Sequence, residues 1–437
     1  MMKVTVVGAG LAGCEAAWQL ARQGIPVELV EMKPLQFSPA HHSPLFGELV
    51  CSNSLKAEHL TNASGLLKAE MARLGSLVLS CAHKARVPAG GALAVDREVF
   101  SRLLTRAVEE HPLIQVKRQV AEQLPPPPWI IATGPLTGDG LCRAIEALPG
   151  AGRLHFFDAA APIVTRESLD MDKVFAASRY GRGEGQDYLN CPMDQAQYDA
   201  FYDALMGAQL NQPHGFEQKL VFEGCLAVEI LAARGRQTLC FGPLKPIGLT
   251  DPRTGKRPYA VVQLRQDNQE GTLYNMVGFQ TRLKWGEQKR VFSMIPGLEH
   301  AEFVRYGVMH RNTYLNGPDM LGPNYALAGD PLTRFAGQIT GVEGYMESAA
   351  SGLVAGLCLA RRLRGLPEPQ WGKQTMLGAL EAHVRTPTAN FQPMNANFGI
   401  LTPLDQRVKG KQNRYEQLSA RALAALEDIA GQMEEEP

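Results

Sequence analysis

The chain has 437 residues, of which 45% are hydrophobic and 20% are charged, and its 44 Lys and Arg residues balance its 44 Asp and Glu residues. This composition excludes a disordered chain, and the length predicts two or three domains. We expect a cytoplasmic protein without a membrane span, because no stretch reaches about 18 consecutive apolar residues. Eight cysteines without a CxxC pair or a matching His spacing argue against a disulfide framework and against a metal site.

The first predicted element is a strand that runs directly into the glycine-rich turn GAGLAG at residues 8–13, which opens a helix. In a dinucleotide-binding unit, Gly8 permits the tight turn, Gly10 lets the backbone approach a pyrophosphate, and Gly13 lets the helix pack on the strand. The second strand ends at Glu31, 23 residues after Gly8, where an acid can hydrogen-bond ribose hydroxyls. The cofactor contacts predicted here are Gly8, Ala9, Gly10, Leu11, Ala12, Gly13 and Glu31.

The remainder of the first 150 residues also has an α/β pattern. Residues 96–110 have helical spacing, and residues 114–120 alternate like a strand. A proline run then leads into a short apolar strand that ends in Gly134. Strand ends of this kind abut the cofactor in FAD-binding folds, so Gly134 is a candidate contact, and Val120 is another through its backbone.

Residues 151–315 are predicted to form a smaller α+β insertion domain. Strands are expected at residues 220–231, 238–248, 260–264 and 273–278. Residues 234–315 contain 13 Lys and Arg against 6 Asp and Glu, a net charge of +7 that leaves −7 for the rest of the chain. A basic insertion of this kind is either a solvated face or a nucleic-acid-binding surface.

The last third returns to an α/β pattern, with a strand at residues 334–336, the contacts Gly337, Gln338 and Ile339, and a long helix over residues 343–364. These elements can rejoin the N-terminal sheet, which makes residues 1–150 and 316–437 one discontinuous, doubly wound FAD-binding domain. A competing strand-Gly-Asp segment at residues 325–330 is not followed by a helix, so a phosphate there would meet no helix N-terminus. We therefore favour Gly337 and Gln338.

Two cysteines are candidates for the chemistry. Cys51 lies in the segment LVCSNSLK, where Ser52 or Asn53 could cap a helix whose positive end favours a thiolate. Cys225 follows a glycine in VFEGCL. The remaining six cysteines lie mostly in apolar or helical contexts and are interpreted as structural, and the His41-His42 pair lacks a third ligand at metal-binding spacing.

The sequence resembles the folate- and FAD-dependent tRNA (uracil-5-)-methyltransferase family in segments spread along its whole length. They are GAGLAGCEAA at 8–17, PAHHSPLFGELVCSNSLK at 39–56, ALAVDREVFS at 92–101, VFEGCLAVE at 221–229, FAGQITGVEGYMESAASGLVAG at 335–356 and FQPMNANFG at 391–399. A sister family of FAD-dependent enzymes that modify the tRNA wobble uridine shares the glycine-rich opening and the GQITG segment. That family should lack the two cysteine segments, which therefore favour the methyltransferases.

The resemblance implies formation of 5-methyluridine at position 54 of the tRNA T loop, with methylenetetrahydrofolate as carbon donor and FAD reduced by NADH or NADPH as reductant. It also implies that Cys225 is the nucleophile and Cys51 the base for the C5 proton, with the reverse assignment left open. A thiolate that adds to C6 activates C5 of uracil. In the basic insertion, candidate phosphate contacts are Arg282, Lys284, Lys289, Arg290, Arg305 and Arg311, with Trp285 or Tyr306 available for stacking. Two alternatives are a small-molecule flavin oxidoreductase and a flavin-bound RNA-binding protein without methylation.

Overall fold

A computed structural model of the chain describes residues 2–151, 153–159, 161–181, 183, 185–211, 226–307, 309–388 and 391–435. In chain order, its strands are β1 (Val4–Val7), β2 (Val27–Glu31), β3 (Ser54–Ala57), β4 (Arg86–Val87), β5 (Ala92–Val95), β6 (Ile114–Arg118), β7 (Trp129–Ile131), β8 (Arg153–Ala159), β9 (Ile163–Thr165), β10 (Phe175–Ala176), β11 (Tyr188–Met193), β12 (Ala260–Gln266), β13 (Leu273–Met276), β14 (Phe303–Arg305), β15 (Met309–Leu315), β16 (Ala326–Leu327) and β17 (Asp330–Phe335). The α-helices are α1 (Leu11–Arg22), α2 (Ala63–Arg73), α3 (Leu77–Lys84), α4 (Arg97–Glu109), α5 (Asp139–Glu146), α6 (Gln195–Met206), α7 (Val228–Ala233), α8 (Thr238–Phe241), α9 (Trp285–Phe292), α10 (Gly317–Met320), α11 (Tyr345–Leu363), α12 (Met376–Arg385) and α13 (Lys411–Glu435).

The first sheet has the strand order β16-β17-β7-β1-β2-β6, and all its pairs are parallel except β16 with β17. Its central strands β1 and β7 are largely apolar and buried, as expected for parallel strands that are covered on both faces. The strand β17 from the last third of the chain pairs with β7, as the sequence predicts. The predicted doubly wound α/β class with a parallel sheet is therefore confirmed.

Helices α1 and α11 pack closely enough to bring the two ends of the chain together over this sheet. A Cβ atom added at Gly352 would lie 2.1 Å from the carbonyl oxygen of Ala12, and one at Gly356 would lie 2.6 Å from that of Ala16. Only glycine permits this approach, because real Cβ atoms do not come within 3.0 Å of backbone atoms. This packing holds the start of α1, and with it the glycine-rich turn, against the elements that come from the last third of the chain.

The second sheet has the order β10-β11-β12-β13-β9-β14, is antiparallel, and lies over a separate apolar core. Strands β8 and β15 pair with each other as a two-stranded ladder from Arg153 with Leu315 to Ala159 with Met309. The two strands of this ladder thus precede and follow the second sheet in the chain. The domain boundaries at residues 150 and 316 stay a prediction.

Some predicted elements in the middle of the chain are wrong. Residues 228–233 and 238–241 form the helices α7 and α8 rather than strands. Val228 and Ala232 are both fully buried, which is the i, i+4 spacing of a helix face, and α8 ends at Gly242. Residues 220–225 lie outside the described residues. Strand β6 ends at Arg118, two residues earlier than predicted, and β17 begins four residues earlier.

Among the described residues, no helix is both long and apolar enough to cross a membrane.

Candidate cofactor cleft and thiol site

A cleft lies at the carboxyl ends of the parallel strands β1, β2 and β7, and its volume is about 1160 Å³ when the part open to solvent is included. Crevices at this edge are where open α/β sheets bind ligands. The cleft wall contains ten of the twelve predicted cofactor contacts: Gly8, Ala9, Gly10, Leu11, Ala12, Glu31, Val120, Gly134, Gly337 and Gln338. Two predicted residues, Gly13 and Ile339, do not line it.

The three glycines of the turn have different environments. Gly8 has a φ of +99°, and its Cβ would lie 2.7 Å from the carbonyl oxygen of Ala132. The Cβ of Gly13 would lie 1.7 Å from the carbonyl oxygen of Gly8, so Gly13 serves the helix-turn packing and not the cleft wall. At Gly10 an added Cβ would meet no described atom within 4 Å, yet the residue lines the cleft. Gly10 therefore leaves open space at the start of α1, which suits a phosphate group.

Glu31 is fixed with its carboxylate at the edge of this turn. Its side chain accepts hydrogen bonds from the backbone N–H groups of Ala9 at 2.7 Å and Lys33 at 2.9 Å, one at each oxygen. A carboxylate has about four lone-pair sites, so both oxygens can also accept hydroxyl groups. This geometry fits the predicted contact with a ribose.

The opposite wall comes from the far end of the chain. Gly337 has a φ of +86°, and its N–H donates to Ser351 Oγ at 2.7 Å. The side chain of Gln338 donates to Glu343 at 2.6 Å, and Ile339 is buried behind the wall at 1% exposure. Residues 325–330 form part of the β16–β17 hairpin and do not line the cleft.

Several cleft residues were not found from the sequence. Lys33 is buried, and its ammonium group donates to the carbonyl oxygen of Leu45 at 2.5 Å and lies 3.7 Å from a Glu48 carboxylate oxygen. His41 lies 2.6 Å from Ser38 Oγ through Nδ1, and burial, together with the charge of Lys33, lowers its pKa. The only signals in the sequence were the place of Lys33 just after Glu31 and that of His41 in the segment 39–56.

Cys51 lies next to the cleft, and its backbone is held by a residue of the cleft wall. Tyr345, the first residue of α11, lines the cleft, and its hydroxyl oxygen accepts hydrogen bonds from the N–H groups of Cys51 at 2.8 Å and Ser52 at 3.3 Å. Burial is the main cause that raises the pKa of Tyr345, and the nearby Cys51 adds to it. The predicted helix cap at Ser52 or Asn53 is wrong, because the extended strand β3 begins at Ser54.

Arginine side chains provide the positive charge that the helix end was expected to supply. Arg265, buried on β12, donates to Ser52 Oγ at 2.7 Å and to Asn53 Oδ1 at 2.8 Å, and it interacts electrostatically with Cys51. Arg97 lies close to Arg265 and donates to the carbonyl oxygen of Leu49 at 2.6 Å. Arg265 therefore brings a positive charge to the segment that carries Cys51. The sequence did not identify this source of charge, because these residues are far apart along the chain.

The second candidate thiol, Cys225, lies outside the described residues, so its position relative to Cys51 is not described. Burial raises the pKa of the thiols of Cys14, Cys191 and Cys358, which suits buried structural cysteines. Burial also raises the pKa of Cys81 to about 11. Among the described residues, no group of three or more His, Cys, Asp or Glu could hold a metal ion.

The basic candidates of the insertion occupy different surroundings. Arg282 and Arg290 pair with Glu229 and Glu287, and Lys284 donates to Gln209 at 3.2 Å. Lys289 is exposed, whereas Arg305 is partly buried and interacts electrostatically with Arg97. The Arg311 side chain lies outside the description.

The two aromatic candidates stack on each other. The rings of Trp285 and Tyr306 lie 5.8 Å apart with an interplanar angle of 14°, and Phe303 stacks on the other side of Tyr306. Trp285 is 61% exposed, which leaves an aromatic surface accessible at the end of the stack. An aromatic surface of this kind can stack with a base.

Comparisons with known proteins agree with this architecture. The family model described as "Glucose inhibited division protein A" matches residues 3–367. The chain is 59% identical over 431 residues to "Methylenetetrahydrofolate--tRNA-(uracil-5-)-methyltransferase TrmFO" of Desulfitobacterium hafniense, and the match covers 98% of both proteins. It is 55% identical to the protein of the same name from Halalkalibacterium halodurans, over 98% of this chain and 99% of that protein. The fold is similar to that of Aquifex aeolicus GidA, with a TM-score of 0.69, 14% identity, and coverage of 98% of this chain and 73% of that chain.

Proposed function

This chain belongs to the methylenetetrahydrofolate–tRNA-(uracil-5-)-methyltransferase family, and we propose that it forms 5-methyluridine at position 54 in the T loop of tRNA. As a member it is a folate-dependent tRNA uracil-5-methyltransferase and a flavoprotein. The observation that carries the assignment is 55–59% identity over nearly the full length of relatives with this name. The target position, the reductant and the residue roles are our proposals. We propose the cytoplasm as its compartment, where the substrate tRNA is available.

The cleft residues Gly10 and Glu31 fit an FAD molecule. Gly10 leaves open space beside the start of α1, where a side chain would fill the cradle, and the Glu31 carboxylate is oriented for hydroxyl groups. The proposed contacts are the ten predicted residues of the cleft wall, with Gly13 and Ile339 in supporting positions. Bound FAD, once reduced by NADH or NADPH, supplies the two electrons that distinguish a folate methylene carbon from a methyl group.

The protein's own part of the reaction is assigned to two thiols. We assign Cys225 as the thiolate that forms a bond to C6 of uracil, which raises electron density at C5 for attack on the one-carbon unit. Cys51 then accepts the C5 proton, after which the bond to C6 breaks and the thiolate is released. Tyr345 and Arg265 hold the segment that carries Cys51, one through the backbone and one through the side chains that follow it. The reverse roles of the two cysteines remain the alternative.

The tRNA must present its uridine outside the folded T loop, so the protein needs contacts to phosphates and an aromatic surface. Exposed Trp285 supports this role because it caps a stack of three rings on the basic insertion. Arg282, Lys284, Lys289 and Arg290 are proposed phosphate contacts near it. Arg305, which lies near Arg97, is better suited to an anionic group close to Cys51, such as the carboxylate tail of folate.

The test is to incubate purified, FAD-loaded protein with unmodified tRNA, methylenetetrahydrofolate and NADPH, and to map 5-methyluridine by mass spectrometry. We expect one modified position, uridine 54. Cys51→Ala and Cys225→Ala should each abolish the product with FAD retained, whereas Cys240→Ala, a partly buried thiol of the insertion, should leave it unchanged. A simple flavin oxidoreductase or a non-catalytic RNA-binding protein would give no 5-methyluridine. Full activity of either cysteine variant would remove that residue from the mechanism.

A further inference from the structure

A second recess opens on the surface at the start of the C-terminal helix α13, away from the glycine-rich turn. Four cations line it: Arg407, Lys409, Lys411 and Arg414. All four are exposed, and none of the described residues that line the recess carries a carboxylate. This local excess of positive charge contrasts with the zero net charge of the chain.

Within the described residues, none of these four cations forms an ion pair with a carboxylate. The acidic residue of the same helix turn, Glu416, instead accepts a hydrogen bond from Gln412 at 3.0 Å. Positive charge in the first turn of a helix is also unfavourable, because it opposes the helix dipole. The helix dipole therefore does not favour Lys411 and Arg414 in this first turn, and an external anion would offset their charge.

An aromatic pair makes one wall of the recess. The rings of Phe398 and Tyr415 stack with centroids 4.2 Å apart and an interplanar angle of 23°. The guanidinium of Arg414 lies 5.2 Å and the ammonium of Lys411 lies 5.6 Å from the centroid of the Tyr415 ring. These cation–π contacts hold both charges at the rim of the recess rather than leaving them free in solvent.

The recess is connected to the cofactor cleft by a short segment. Met394 exchanges backbone hydrogen bonds with Gly341 and Glu343, which follow the cleft residues Gly337 and Gln338. Four residues further on, Phe398 enters the recess, a separation of at most about 14 Å for an extended chain. Residues 394–398 thus link the loop that follows the cleft residues Gly337 and Gln338 to the recess.

We propose that this recess binds the phosphate backbone of the tRNA substrate at nucleotides outside the one that is methylated. The inference rests on the proposed function, since it takes tRNA as the substrate. Lys and Arg side chains that form no ion pair and surround an open surface suit a nucleic-acid backbone, because its phosphates present a row of separate negative charges. A single small anion would need only one or two of these groups.

The experiment compares the double variant Lys409→Ala/Arg414→Ala with a control, Arg102→Ala/Arg106→Ala, that removes two exposed cations from α4. Affinity of each FAD-loaded protein for unmodified tRNA is measured by filter binding between 50 and 200 mM KCl. We expect at least a tenfold higher Kd for the recess variant at 100 mM, and the slope of log Kd against log salt should fall by about one for each phosphate that is no longer neutralised. The charge-conserving variant Lys409→Arg/Arg414→Lys should bind within threefold of the parent protein.

Methylation kinetics separate this inference from the proposed function. The recess variant should have a higher KM for tRNA and an unchanged kcat, because none of its altered residues lies at the cofactor cleft. If the parent protein forms no 5-methyluridine, the proposed function fails, while the binding comparison still tests the recess. If the recess variant and the parent have equal Kd values and equal salt slopes, with matching melting temperatures, the inference is overturned.

Discussion

Replacing each of two glycines in the N-terminal turn by alanine should separate cofactor binding from folding. At Gly10, whose φ is −74°, alanine adopts the same backbone conformation, and its Cβ meets no described atom within 4 Å. Alanine is a poor helix N-cap, so we expect the free energy of unfolding to decrease by at most about 1 kcal/mol. Because Gly10 lines the cleft and its Cβ would meet open space, we expect this Cβ to take up room proposed for the pyrophosphate. Affinity for FAD should fall at least tenfold, which corresponds to about 1.4 kcal/mol.

Gly13→Ala should give the opposite result. Its Cβ would lie 1.7 Å from the carbonyl oxygen of Gly8, whereas ordinary contact begins at 3.4 Å. Either α1 or the turn must move by more than an ångström, and overpacking in a rigid core typically costs about 1–3 kcal/mol. Because the nearest contacts, the carbonyl oxygen and carbon of Gly8, belong to the backbone, we expect the upper end of that range or more. For a chain of 437 residues this lowers the melting temperature of the apoprotein by about 3 °C or more.

The assay combines thermal unfolding of the FAD-stripped proteins with titration of FAD by the quenching of flavin fluorescence. Gly10→Ala should melt within about 1 °C of the parent protein and bind FAD weakly. Gly13→Ala should melt below the parent protein in the FAD-stripped state. Parent-like FAD affinity in Gly10→Ala would refute the placement of the pyrophosphate at this turn. Parent-like stability in Gly13→Ala would refute the reasoning about close packing.

Two further predictions concern groups beside the cleft. Tyr345→Phe removes the acceptor of two backbone hydrogen bonds, each worth about 1 kcal/mol. Single-turnover formation of 5-methyluridine should therefore slow by about 5- to 30-fold, while FAD affinity stays within twofold. An unchanged rate would show that Cys51 is positioned without the Tyr345 hydroxyl group. His41 has a lowered pKa in the folded protein, so the unfolded chain binds its proton more tightly and this residue reduces stability as the pH falls below about 6.5. In His41→Gln, which cannot titrate, the melting temperature of the apoprotein should therefore move upward relative to the parent between pH 7.5 and pH 5.5, and a constant difference would contradict the assigned direction.

The sequence by itself determined the parts of the protein that depend on neighbouring residues. The order strand, glycine turn, helix, strand is local, because backbone conformation and close approach at Gly8 and Gly13 are properties of consecutive residues. The long segments shared with the methyltransferase family identified the chemistry. Even the return of the chain to its first sheet was predictable, since Gly337 and Gln338 follow an apolar strand and precede a long helix.

The tertiary structure decided what depends on residues that are far apart in the chain. Arg265 and Tyr345 reach the Cys51 segment from 214 and 294 positions away. The spacing of the sequence therefore could not reveal that Arg265 brings a positive charge to this segment or that Tyr345 binds the backbone of Cys51. The apolar residues of the short helices α7 and α8 fit the period of a strand as well as that of a helix, and only the surface against which they pack selects the helix. Burial and charge at the cleft are sums over all surrounding elements, and only the folded chain fixes them.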